Sequence, residues 1–184
     1  NDDNGPELDA WSKTVCDTVK PQVQRVKTAL DDIAQVKQGE KPADLKTRLS
    51  ADVDAIAKSH NALADTIEKA GPPPVENGEK LQKDAVNERR ALAKSYTELK
   101  KQIDDLDTKD RVSFAEDLEE IGNQIEKLGK SDDKALLKLQ SGEVGKSMAK
   151  QASCKSVSSS PKAPAGPPEG NPDSVGTDTP SRAG

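Results

Sequence analysis

From Ala43 to Ala70 the apolar residues fall at Leu45, Leu49, Val53, Ile56, Leu63 and Ile67, in steps of three, four or seven. That spacing places one apolar stripe along a long helix. Lys46, Arg48, Asp52, Asp54, Lys58 and Glu68 take the opposite, solvated face. His60, the single histidine, stands on the stripe where a hydrophobe is expected. An amphipathic helix must bury its stripe against partners, and three other stretches carry matching stripes.

The first of these runs from about Leu8 to Gln38, with Trp11, Val15, Val19, Val23, Val26, Leu30 and Ile33 on one face. Pro21 falls inside it and lacks a backbone donor, which predicts a kink or short break. Gly39 to Pro42 ends this helix, and Gly71-Pro72-Pro73-Pro74 stops the second. Asn77 is placed to be the N-cap of a third helix whose stripe is Leu81, Ala85, Leu92, Tyr96, Leu99, Ile103 and Leu106. A fourth begins near Asp110 with Phe114, Leu118, Ile121, Ile125 and Leu128, and its stripe resumes at Leu136 and Leu139 after Gly129 to Asp133. That interruption is either a loop between two shorter helices or a distortion in one.

Each segment is roughly 30 residues, or about 45 Å of helix at 1.5 Å per residue. Equal lengths and short connections predict an all-α fold, an antiparallel up-down-up-down four-helix bundle with disordered termini. The runner-up is a three-helix bundle with the fourth segment folded into two pieces. Residues 1–9 read as a flexible acidic lead-in and 10–154 as the bundle domain. Residues 155–184, rich in Ser, Pro and Gly, read as a disordered tail that cannot repay the entropy of ordering.

Composition narrows the picture. Aromatics make up 2% of the 184 residues and hydrophobic residues 32%, so the core is built from Ala, Leu, Val and Ile in closely packed helices. Charged residues reach 33% with mixed signs, as on exposed helix faces. Asp2, Asp3, Glu7 and Asp9 precede the first basic residue, Lys13, and carry most of the net charge of −5. No basic stripe and almost no stacking aromatics remain, which argues against nucleic-acid binding. No run of about 18 apolar residues is present to make a transmembrane segment. The chain starts at Asn1 without a Met, as a mature product or an excised piece would, with any signal peptide out of view.

Cys16 lies near the start of the first helix and Cys154 past the end of the fourth. An up-down-up-down bundle brings those points to the same end, so the two read as one disulfide, which implies an oxidising, extracytoplasmic compartment. The alternative is two unrelated reduced thiols. Antiparallel register about Pro74 sets His60 opposite Glu88 or Arg89, and register between the first two helices sets it beside Pro21 and Gln22. Glu88 and Arg89 then stand level with Leu128 and Gly129. The irregular residues His60, Glu88, Arg89 and Gln22 thus form a candidate polar layer, most simply a register-setting device. Packing of His60 against Glu88 would raise the imidazole pKa.

No Gly-rich phosphate loop, paired-carboxylate setting or zinc spacing stands out, and no metal or cofactor is expected. Asp104-Asp105-Leu106-Asp107 is a weak cation candidate and reads as a helix end. Gly142-Glu143-Val144-Gly145-Lys146-Ser147 lacks the first-Gly spacing and preceding strand of a phosphate loop. No nucleophile, base and orienting group can be assembled, so no catalytic residue is assigned and an enzyme is not expected.

Trp11-Ser12-Lys13-Thr14-Val15-Cys16, Ala70-Gly71-Pro72-Pro73-Pro74-Val75, Leu106-Asp107-Thr108-Lys109-Asp110, Leu139-Gln140-Ser141-Gly142-Glu143-Val144-Gly145-Lys146 and the closing Cys154 together carry a resemblance. Over about residues 10 to 154 the chain resembles an actinobacterial (Streptomyces-like) family of small secreted proteins, often lipoproteins, of unknown function. The resemblance implies export and an N-terminal lipid anchor upstream of Asn1, and it supplies no catalytic residues. The expectation is therefore a monomeric, exported or lipid-anchored module at the outer face of the cell membrane. It would have a binding or structural role toward a protein or cell-envelope partner. The alternative is an extracytoplasmic small-ligand carrier that uses the polar layer.

Overall fold

The computed structural model describes residues 5–35, 37–130 and 133–155, and every regular element among them is an α-helix. Helices α1 (Gly5–Ala34), α2 (Pro42–Ala70), α3 (Gly78–Asp104) and α4 (Arg111–Lys130) follow one another up and down, as the stripes predict. Three short helices complete the fourth side: α5 (Lys134–Leu139), α6 (Gly142–Lys150) and α7 (Ala152–Lys155). Residues 1–4 and 156–184, where disorder is expected, lie outside the described residues.

Helix α1 starts earlier than the lead-in of residues 1–9 allows, because Leu8 continues the Trp11, Val15, Val19 stripe and is buried with it. Glu7 in the first turn complements the positive end of the helix dipole. The expected break at Pro21 does not occur; α1 runs through it. Pro21 and Asp17, whose carbonyl loses its donor, are both exposed, so water can take the vacated bond. Helix α1 ends at Ala34, short of Gln38, where Arg48 of α2 donates to the Asp32 and Gln35 carbonyls.

Pro42 opens α2 at a position where its missing N–H is no loss. Gly71 closes α2 at φ 74°, and its carbonyl accepts the Trp11 indole N–H at 2.9 Å. Asn77 occupies the N-cap position of α3 as expected, yet with φ 61° and no side-chain capping bond. The turn is tight: a Cβ at Gly78 would lie 2.1 Å from the Pro73 carbonyl oxygen. Asp110 caps α4 in the ordinary way, its Oδ1 accepting from the Val112 and Ser113 amides at 3.1 and 3.2 Å.

The fourth segment is not one long helix. Helix α4 lies against α3 and covers the half of the bundle near the α1–α2 loop, where Phe114 and Ile121 join Val53, Ile56, Tyr96, Leu99 and Ile103 in one apolar cluster. Helix α4 ends at Lys130, and α5 packs on α3 while α6 and α7 pack on α1. Leu139 and Val144 there close a second cluster with Trp11, Val15, Leu63, Ile67 and Ala85. At this end Ser12 donates to Ser147 at 2.9 Å, which donates to Asp9 at 2.7 Å, and Cys16 is disulfide-bonded to Cys154.

The disulfide joins residues 138 apart, so in the chain-entropy account it stabilises the fold by at most about 5 kcal/mol. Reduction is expected to lower the melting temperature and release α6 and α7, while α1 to α3 stay helical at room temperature. Circular dichroism melts with and without reductant check this, and loss of all helix at room temperature on reduction would contradict it.

Candidate functional site

Between the two apolar clusters lies a band of polar side chains. His60 projects from α2 and Arg89 from α3, and both are buried, at 8% and 3% exposure. The Arg89 Nη2 donates to Glu88 Oε1 at 2.9 Å and to Asp133 Oδ1 at 2.6 Å. Glu88 in turn accepts the backbone amides of Ala135 and Leu136 at 2.9 and 3.1 Å. Those are N–H groups of the first turn of α5, which have no acceptor within their own helix. Glu88 therefore caps α5 from another helix, with Arg89 holding the carboxylate in place.

Three of the four residues expected in the layer meet there, but not in the expected pairing. His60 does not pack against Glu88. Its ring stacks on Tyr96, with centroids 5.6 Å apart and planes 16° from parallel. The pairing lies about two turns along α3 from the expected one, an offset of the kind that the Asp65–Arg90 and Ser50–Asp104 contacts also show. Glu88 and Arg89 meet residues 133–136 instead of Leu128 and Gly129. Gln22 is not in the layer. It lies half-buried off the α1 stripe, accepts from Arg25 Nη1 at 3.4 Å, and borders an outer α1–α2 groove with Asp52, Lys58 and Ser59.

The expected rise in the His60 pKa is reversed. Burial, with the Arg89 charge adding to it and Asp133 opposing, pushes it down to about 4. The ring is neutral at pH 7, and its Nδ1 and the Arg89 Nε are buried without a protein partner among the described residues. Burial also raises the Tyr96 hydroxyl.

A second polar cluster, which sequence reasoning missed, ties α1 to α2 near their connection. Arg48 makes a two-pronged bond to Glu40, Nε to Oε2 at 2.9 Å and Nη2 to Oε1 at 2.8 Å. It also contacts the Asp32 carboxylate at 3.5 Å, and Lys37 stands 4.0 Å from the other Asp32 oxygen. Asp52, one turn along α2 from Arg48, meets Asp32 side chain to side chain. The pair makes a paired-carboxylate setting that no local motif announces. The signal that could have found it was the α1–α2 register already used for His60, which sets Asp32 and Asp52 nearly level.

The remaining sequence candidates resolve as local structure. Asp104 pairs with Lys100 at 2.6 Å and accepts from Ser50, Asp107 accepts the Lys109 amide, and Leu106 is buried. The 104–107 run is thus the end of α3. Among the described residues no group of three or more His, Cys, Asp or Glu is placed to hold a metal ion. None of their helices is long and apolar enough to cross a membrane. No protein-family model, curated protein or solved structure matches the sequence.

Two measurements test the layer. His60 should titrate by NMR near 4; a midpoint at or above 6.5 would overturn its burial. Because this folded value is depressed, His60 contributes stability that is present above the unfolded value near 6.5 and lost as pH falls through about 4. Arg89→Ala should cost about 3 kcal/mol in denaturant unfolding, since it removes the cation that pairs half-buried Glu88 with Asp133. Glu88→Ala should speed amide exchange in α5 and α6 and leave the middle of α2 unchanged.

Proposed function

We propose that the chain is an exported helical-bundle protein of the cell surface, with a binding or structural role and no catalysis. The observation that carries this reading is the Cys16–Cys154 disulfide, which links α1 to α7 across almost the whole fold. Such bonds persist in oxidising compartments and are rare in the reducing cytosol. The resemblance to actinobacterial secreted proteins and lipoproteins points the same way. A monomer anchored upstream of Asn1 would turn its disulfide end toward the membrane and present the 35–41 and 105–110 connections to a protein or envelope partner.

The polar layer supports a structural role over a small-ligand carrier. Glu88 and Arg89 direct their hydrogen bonds at Asp133 and the first turn of α5, and so hold the broken fourth segment in place. His60 packs on Tyr96 instead of facing an open cavity wall of charged groups.

Native cells quenched in acid and alkylated under denaturing conditions test the reading. Cys16 and Cys154 should resist alkylation until reduced, and protease added to intact cells should degrade the protein. Freely alkylated thiols, or protection in intact cells with cleavage only after lysis, would reject export.

A further inference from the structure

Asp32, Glu40 and Asp52 are three carboxyl groups gathered about one well-placed cation. Arg48 is committed to Glu40 through two nitrogens and to the α1 end through the Asp32 and Gln35 carbonyls. Lys37 is half-exposed and reaches only Asp32, at 4.0 Å. The other cations beside Asp52 are occupied elsewhere: Arg25 bonds to Gln22, and Lys58 pairs with Asp54 at 2.7 Å. With both groups ionised, Asp32 and Asp52 are acceptors only, and Asp52 Oδ2 is buried without a donor. Like charges at hydrogen-bond range cannot both be kept. A proton shared between the two carboxyls makes Asp52 a donor to Asp32 and removes the conflict.

We infer that Asp32 and Asp52 form a protonation-dependent latch between α1 and α2, closed while one proton bridges the two carboxyls. On deprotonation the proton leaves to solvent, the contact becomes repulsive, and α1 parts from α2 along the groove lined by Thr28, Ala29, Asp52 and Ala55. The clamp of Arg48 on Glu40 does not depend on that proton, so the α1–α2 loop stays tied to α2 while the seam beside it loosens.

The direction with pH follows from the two partners. Burial first, then the hydrogen bond and charge of Asp32, raise Asp52 from 3.8 to about 7. A raised carboxyl contributes stability that is complete below its unfolded value and lost as pH climbs through about 7. Asp32 is lowered, chiefly by the hydrogen bond from Asp52, so its contribution is lost as pH falls below the ordinary 3.8. The latch is closed between these limits. His60 slopes the opposite way from about 4 to 6.5, so the readout must be a difference between two proteins that both carry His60.

Asp52→Asn supplies a permanent donor to Asp32. The folding constant of D52N relative to wild type should rise about tenfold between about pH 5 and about pH 8.5 in denaturant titrations, a change reduced by the partial exposure of this group to solvent. A ratio that does not change with pH would overturn the latch. The carboxyl 13C resonance of Asp52 in the wild-type protein gives a second reading that needs no variant to fold. Its midpoint should lie near 7 and fall clearly toward 3.8 in Asp32→Asn. A wild-type midpoint near 3.8, or one that Asp32→Asn leaves in place, would overturn the shared proton.

Discussion

The buried guanidinium of Arg89 is the constraint on which the rest of the structure depends. A charge at 3% exposure in a helical bundle is tolerated only if it is paired and its hydrogen bonds are met. Arg89 is paired through Nη2 with both Glu88 and Asp133, while its Nε stays without a protein partner among the described residues. That pairing requires the fourth segment to stop being a helix at the level of Arg89, because Asp133 and the free amides of Ala135 and Leu136 are offered only by an interrupted chain. One continuous helix would have presented side chains there and kept its amides to itself. The break and the buried charge therefore explain each other.

That single level divides the molecule into two cores with different construction. Below it α4 supplies Phe114 and Ile121 to a cluster shared by all four long helices. Above it the short helices α5, α6 and α7 cannot bury much surface each, and the fold adds specific ties. Leu139 and Val144 fill the core, the Ser12, Ser147, Asp9 chain fixes α6 to α1, and the disulfide fastens α7. Loop-closure arguments say a cross-link is worth most where it spans a long stretch of chain, and this one spans nearly all of the described fold. The covalent bond stands where non-covalent packing is weakest.

The same logic separates the two polar clusters. In the layer every charge has an opposite charge or a helix end, and His60 answers its burial by staying neutral. In the Asp32, Glu40, Asp52 group the carboxyls outnumber the committed cations, and the imbalance falls on Asp52. The first arrangement is indifferent to pH near neutrality. The second is sensitive to it, and it lies at the end of the bundle remote from the disulfide.

The sequence by itself determined the helices, their order and the cysteine pair. The stripes of α1 to α4 are periodic signals that need no tertiary information, and an up-down-up-down path between Cys16 and Cys154 returns the chain to its starting end. It also marked residues 129–133 as irregular and His60, Glu88 and Arg89 as misfits on their stripes. It did not determine register. Sliding one helix past another by a turn leaves every stripe facing inward, so hydrophobic periodicity cannot distinguish the two alignments. Only the folded chain decided that His60 meets Tyr96 and that Glu88 meets α5. The state of Asp52 lay further still from the sequence. A carboxyl's proton depends on the distance to a second carboxyl and on the water excluded between them, and both are properties of the packed structure.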